Sequence, residues 1–374
     1  MILLIGNYPL DRQQSMQRFA AMMLTGLTAA GISAELIQPL PFFGRFRYAG
    51  RFVAKWLAYL DKFVLFPRTL AKKLRERPVL VHICDHSNAM YAKRIHGVPV
   101  VVTCHDLLAV RGARGEPTGC PASPTGKLLQ RWIVASLGKA AAIVCDSRAT
   151  LKDAQRFVPG RNSRPKLEVI TLGLSYPYRV LPRGEARKRL AESTSLPADA
   201  SFVLHVGSNL RYKNREGVLR IFAHCREDWN GLLVFAGEAL SPSLRSLGRQ
   251  LGIADRILEL TAVTNETLEA LYNCALALLF PSTFEGFGWP IAEAQACGCP
   301  VLCADRAPMT EVAGEAGLIH SLEDEAGFAA DILRLTNPTE RERWSERSLE
   351  NAQRFSAARM ISEYRDLYRS IVPV

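Results

Sequence analysis

No uncharged apolar run in the 374-residue chain reaches the ~18 residues of a membrane-spanning helix, so no span is expected. The opening Met-Ile-Leu-Leu-Ile-Gly lacks the basic flank and the apolar length of a signal peptide, and none is expected. Cys-x-x-Cys is missing as well. The nine cysteines are scattered, and an odd number without a repeated spacing excludes a disulfide framework. Cys297, Cys299 and Cys303 lie close together but without a histidine at a ligand spacing, so buried thiols in a reducing cytosol are expected rather than a metal site. Acidic side chains are the scarcer sign, 36 against 47 Lys and Arg, leaving a net charge of +11. With 48% hydrophobic and 22% charged residues, the chain is neither disordered nor collagenous nor a disulfide miniprotein.

What is present is organised in two halves. At roughly 150 residues per domain the length suggests two domains. Residues 1–180 carry +16 and residues 181–374 carry −5, so the halves face different partners, and the basic half suits an anionic one. Short buried-strand runs alternate with helix-length segments: Ile2–Ile5, Val79–Cys84, Pro99–Cys104 and Ala141–Cys145, then Phe202–Val206, Leu232–Phe235, Ala275–Phe280 and Val301–Cys303. That alternation predicts βαβ units and parallel sheets. Composition and charge change around Thr171–Pro182, where a linker is expected. The fold class is therefore α/β, with two Rossmann-like doubly wound domains and a cleft between them. Boundaries are set at 1–175, 176–355 and a final helix over 356–374, whose Met360, Ile361, Tyr364, Leu367, Tyr368 and Ile371 have helical spacing. Ligands of such sheets bind beyond the C-terminal strand ends.

Three strand-end motifs stand out. In Pro281-Ser-Thr-Phe-Glu-Gly-Phe-Gly-Trp-Pro-Ile-Ala-Glu293, Gly286 and Gly288 permit a tight loop, and Pro290 suits the first turn of a helix. Glu285 then sits in the loop and Glu293 about one turn into the helix, around a terminus that favours phosphate. On spacing alone, a packing loop with one capping and one solvated acid reads nearly as well. In His205-Val-Gly-Ser-Asn-Leu-Arg-Tyr-Lys-Asn214, Gly207 ends a strand and Lys213 stands where it can neutralise a diphosphate, or simply be a solvated lysine at a helix start. In Val100-Val-Val-Thr-Cys-His-Asp-Leu107, His105 and Asp106 follow a β-branched strand; a histidine there can donate to a hydroxyl or phosphate, or serve the turn. In the first loop, Asp11 or Ser15 is a candidate cap for the helix that follows.

Glu285 and Glu293, with seven residues between them, the loop glycines, Phe287 and the Pro290 helix start resemble glycosyltransferase family 4, retaining enzymes of the GT-B fold with an E-x7-E motif. The resemblance implies that Glu285, Gly286, Phe287 and Gly288 meet donor sugar and phosphate, that Glu293 binds the ribose, and that Lys213 offsets the diphosphate. Gly207 and Ser208 stand in the phosphate loop. Many members have Arg at the Ser208 position, and Arg211 is the candidate substitute. Glu285, His105 and Lys213 are the expected catalytic residues, with Asp106 orienting His105 or meeting the acceptor, and the last helix crossing back to the first domain. The implied activity is transfer of a hexose from a nucleotide sugar, GDP-mannose in preference to a UDP-hexose, to a glycan or lipid-linked glycan in surface polysaccharide assembly. A nucleotide-sugar epimerase and a non-catalytic membrane-associated sugar-binding protein are the alternatives. The chain contains no Asp-x-Asp triplet, so neither metal nor other cofactor is expected.

Residues 42–77 carry ten basic and two acidic side chains interleaved with aromatics. Phe52, Trp56, Tyr59, Leu60 and Phe63 share one helical face, with Arg51, Lys55 and Lys62 on another, a pattern that suits an anionic membrane surface. Packing of those rings on the domain is the other reading. No nucleic-acid-binding motif occurs, and nucleic acid is not an expected partner. The location implied is cytoplasmic, on the inner face of the cytoplasmic membrane.

Overall fold

A computed structural model describes residues 1–11, 13–46, 50–160 and 165–372, with residues 50–52 described by their backbone alone. The chain divides into two compact units, residues 1–175 with 356–374, and residues 176–355.

In the first unit, strands β1 (Ile2–Ile5), β2 (Ala34–Ile37), β3 (Leu80–Ile83), β4 (Val100–Cys104), β5 (Ala142–Cys145) and β6 (Lys166–Val169) form a parallel sheet ordered β2-β1-β3-β4-β5-β6. In the second, β7 (Phe202–Gly207), β8 (Leu232–Gly237), β9 (Ile257–Leu260), β10 (Ala277–Phe280), β11 (Val301–Ala304) and β12 (Gly317–His320) form another, ordered β12-β11-β10-β7-β8-β9. The predicted parallel α/β architecture is thus present in each unit. The central strands are buried on both faces, which is why they read as continuous Val, Ile and Leu runs.

Each sheet reverses its winding once. The chain leaves β1 for β2 on one side and returns to β3 on the other; it leaves β7 for β8 and β9, then returns to β10. The loops after β1 and β3, and after β7 and β10, therefore flank the crevices where ligands of such sheets bind.

The helix Ala357–Ile371 belongs to the first unit and buries Met360, Ile361, Tyr364, Leu367 and Tyr368. Its Tyr368 hydroxyl hydrogen-bonds His82 Nδ1 at 2.7 Å, and Tyr364 Oη meets Thr103 Oγ1 at 2.8 Å. Burial, with the charge on nearby His105, pushes His82 down to about 3, so this contact is made by a neutral ring. Neither Asp11 nor Ser15 caps the helix Gln14–Ala29: Gln13 holds the cap position without a side-chain bond, and Asp11 pairs with Lys62 instead.

All nine cysteines are free, and all but Cys120 are buried. No helix among the described residues is long and apolar enough to cross a membrane.

Candidate functional site: the loops after β7 and β10

β7 ends at Gly207, in register with Gly237 at the end of β8. A Cβ on Gly237, whose φ is +133°, would lie 2.2 Å from the Gly207 carbonyl oxygen. Only glycine fits that approach. Beneath it, Arg215 is buried and donates through its guanidinium to the Gly207 carbonyl at 2.6 Å, the Glu238 carbonyl at 2.8 Å and Asn209 Oδ1 at 2.7 Å. The cation that shapes this loop is Arg215. Arg211, the expected substitute for a family arginine at the Ser208 position, is solvent-exposed in a short turn with Tyr212 and Lys213. Sequence reasoning passed over Arg215 because it falls inside a helical pattern, Arg215–His224, that looks like an ordinary amphipathic start.

Asn214 adopts a left-handed backbone (φ 50°) and caps that helix by accepting from Gly217 N. Its side-chain amide also donates to the Pro281 carbonyl at 3.0 Å, across to the loop after β10. Thr283 N donates to the Tyr212 carbonyl at 2.7 Å. The two loops are therefore clipped together on either side of Lys213, and Lys213 Nζ meets Glu285 Oε1 at 2.7 Å. Both side chains are largely out of solvent, at 13% and 9% exposure. Lys213 Nζ also stands 5.0 Å from the Phe280 ring centre.

Gly288, with φ +101°, opens the helix Trp289–Ala296. Glu293 lies one turn in, buried, and accepts from Tyr272 Oη at 2.9 Å. Burial, and then the Glu293 charge, push the Tyr272 phenol well above its ordinary value, so it remains a donor. Phe287 turns its ring inward, edge-on to Phe355 at 5.8 Å, so any contact it makes with the donor is through its backbone. His205 is fully buried; its Nδ1 meets the Leu279 carbonyl at 3.0 Å, and burial pushes it down to about 3. Its ring is a neutral packing element beneath Gly207.

His105 lies in the first unit and is 3% exposed. Its Nδ1 donates to Asp146 Oδ2 at 2.5 Å and its Nε2 to the Cys84 carbonyl at 2.9 Å. The orienting carboxylate is thus Asp146, from the end of β5, and not Asp106. Asp106 instead accepts from Leu108 N, just ahead of the helix Leu108–Ala113. Against the cost of burial, Asp146 and then Asp85 hold His105 protonated up to about 9. Both ring nitrogens are committed, so a donor contact would require the Cys84 carbonyl to be given up. Among the described residues no cluster of three or more His, Cys, Asp or Glu side chains could hold a metal ion.

The sequence profile described as Glycosyltransferase Family 4 matches residues 16–174, and that described as Glycosyl transferases group 1 matches residues 186–351. The chain belongs to glycosyltransferase family 4. This family 4 chain is 28% identical over 291 residues to the D-inositol 3-phosphate glycosyltransferase of Acidothermus cellulolyticus, a match covering 73% of the chain but 62% of that relative. Over 95 residues it is 41% identical to the O-antigen chain mannosyltransferase B of Escherichia coli, 25% of each protein. The GT-B fold is shared with the sucrose-phosphate synthase of Thermosynechococcus elongatus (TM-score 0.76, 20% identity, 99% of this chain and 98% of that one). It is shared also with Anabaena HepE solved with UDP and glucose (TM-score 0.73, 17% identity, 99% of both chains).

Proposed function

We propose that this chain moves a hexose from a nucleotide sugar to a hydroxyl of a glycan or lipid-linked glycan, with retention at the anomeric carbon, in surface polysaccharide assembly. The observation that carries the reading is the Lys213–Glu285 pair, set between two clipped loops at the point where the sheet of the second unit reverses. A diphosphate arriving there meets Lys213 and two helix N-termini, at Asn214 and Gly288. As charge builds on the leaving group, these fixed dipoles and the ammonium stabilise it. The leaving diphosphate then helps take the acceptor proton on the same face, and Glu285, freed from Lys213, turns to the sugar. Glu293, held by Tyr272, is assigned to the ribose. Gly207 and Ser208, with Gly286 and Gly288, line the approach of the phosphates, and Lys213 supplies the positive charge without a metal. His105 is assigned to the donor sugar only in a state in which its Nε2 has left the Cys84 carbonyl.

GDP-mannose is preferred over UDP-hexoses, in keeping with the mannosyltransferase relative, while HepE holds UDP. The experiment is release of nucleoside diphosphate from GDP-mannose and UDP-glucose, with and without EDTA, and NMR of the anomeric proton of the product. Transfer with retention in EDTA supports the reading. An isomerised donor without transfer would favour an epimerase, and sugar binding without turnover a non-catalytic binding protein.

The basic aromatic segment supports docking on an anionic bilayer, through a stripe that keeps Trp56 and Leu60 of the predicted face and loses Tyr59 and Phe63. Arg47 and Tyr48, and the side chains of Arg51 and Phe52, lie outside the described residues. Phe63 packs against the core beside Trp132, their rings 5.6 Å apart, and Tyr59 is half-buried. The solvent-facing stripe is Val53, Trp56, Leu60 and Val64, continued by Phe42 and Phe46 with Arg45 over both rings. Asp61, 1% exposed, anchors this surface: it accepts from Phe43 N and Gly44 N at 2.9 Å and from Tyr8 Oη at 2.7 Å. Flotation with anionic vesicles, abolished by W56E/L60E and absent with neutral vesicles, is the expected result, in keeping with a place on the inner face of the cytoplasmic membrane.

A further inference from the structure

A cavity of about 670 Å³ opens in the first unit among the helices Leu108–Ala113, Pro124–Leu137 and Arg148–Phe157. Its walls include Val134 and Phe157, and its mouth carries Arg114, Lys127 and Arg131. No acidic side chain lines it among the described residues. Nearby Arg111 and Arg156 are neutralised by Glu116, and Arg111 also by Asp153. Arg114, Lys127 and Arg131 form no ion pair among the described residues. Arg114 holds its guanidinium 4.7 Å from the centre of the buried Phe157 ring, which leaves the planar donor fork free at its edges. Gln130, also in the wall, has a buried amide oxygen without a hydrogen-bond partner among the described residues. Three unneutralised cations around an apolar cavity are the complement of one chemistry.

We propose that this cavity binds a phosphate or diphosphate carried on an apolar stem. The source can be a lipid phosphate drawn from a bilayer or a free phosphate ester. The lipid is favoured, because the helix Pro124–Leu137 also packs Trp132 against Phe63 of the basic aromatic segment and leaves Leu128 69% exposed. This goes beyond the transferase reading and does not depend on turnover.

The test is calorimetric titration of the full chain with farnesyl diphosphate below its micelle threshold, with inorganic pyrophosphate and with farnesol. Each is repeated on the K127Q/R131Q variant, whose two changed side chains are solvent-exposed. Farnesyl diphosphate is expected to bind and to weaken by about tenfold or more in the variant, as loss of charge-assisted hydrogen bonds requires, with thermal unfolding unchanged. Pyrophosphate binding as tight as farnesyl diphosphate, with the same loss, would make this a plain anion site and overturn the apolar part. No binding of farnesyl diphosphate, equal binding of farnesol, or affinity unmoved by K127Q/R131Q would overturn the whole. Nucleoside diphosphate binding in the same variant is expected to stay as in wild type, so failure here and failure at the Lys213 site are separable.

Discussion

Replacing Glu285 by Gln removes one charge from a pair at 2.7 Å whose side chains are 13% and 9% exposed. At an effective dielectric of about 20 the gross attraction is about 6 kcal/mol, most of it offset by the cost of taking both charges out of water. What the variant loses is the compensation for Lys213, and leaving one buried charge unpaired costs ~3 kcal/mol. The amide oxygen of Gln can still accept from Lys213, which keeps the loss at the low end. Spread over the 180 residues of the second unit, 176–355, that is a fall of about 6–12 °C in Tm. A double variant, K213M/E285Q, removes both charges together and is expected to recover to within ~1 kcal/mol of wild type; with the single K213M it closes a cycle whose coupling is ~2 kcal/mol or more. Denaturant unfolding of the four proteins measures this directly. A Glu285→Gln variant within ~0.5 kcal/mol of wild type, or additive single and double effects, would refute a desolvated pair between the clipped loops.

Three further outcomes follow from the same geometry. Gly237→Ala puts a Cβ 2.2 Å from the Gly207 carbonyl at φ +133°, and is expected to cost ~2 kcal/mol or more; Gly252→Ala, at φ +68° with Arg226 Nη1 at 3.7 Å as an ordinary contact, should cost ~1 kcal/mol, the left-handed penalty alone. Arg215→Met releases the Gly207 and Glu238 carbonyls and is expected to weaken nucleoside diphosphate binding about tenfold by loosening the loop, as loss of a charge-assisted clamp does; titration reads it. His105 is held protonated up to about 9, above its ordinary 6.5. A raised imidazole contributes stability that is full below 6.5 and lost as pH rises through 9. The groups facing it are Asp146 and Asp85, which raise it, the neutral His82, and His86, itself raised by Asp85 against the cost of burial. Asp146→Asn should therefore lower stability at pH 6 and flatten its decline between pH 6.5 and 9, which unfolding curves across that range would show.

The strands legible in the sequence were the central ones. Those it did not show are β2, β6, β9 and β12, and each is the edge of its sheet. An edge strand is only half covered: Lys166-Leu-Glu-Val and Ile257-Leu-Glu-Leu mix charge with apolar residues and leave most side chains partly exposed. Such segments carry no continuous apolar run to find. At the site, Glu285, Glu293 and Lys213 were legible because glycine loops and helix starts are local chemistry. Their partners were not, because Lys213–Glu285, Arg215–Gly207 and Asp146–His105 are settled by which strands lie side by side. Adjacency alone offers Asp106 as the residue that orients His105, with the acceptor as its other role. A residue following a strand end points away from its neighbour, while Asp146 at the end of the adjacent β5 points across. In the aromatic helix, a wide turn over Asp61–Leu65 shifts the register, so Trp56 and Leu60 keep the exposed face while Phe63 packs half-buried against the core.

The most direct test of the central claim is calorimetric titration of GDP and UDP into wild type and Lys213→Ala in EDTA. The account predicts that one of the two binds wild type without added metal. It further predicts a loss of affinity of about tenfold or more in Lys213→Ala, since that ammonium is the charge set against the diphosphate. Unchanged affinity in the variant, or no binding of either nucleotide to wild type, would contradict it.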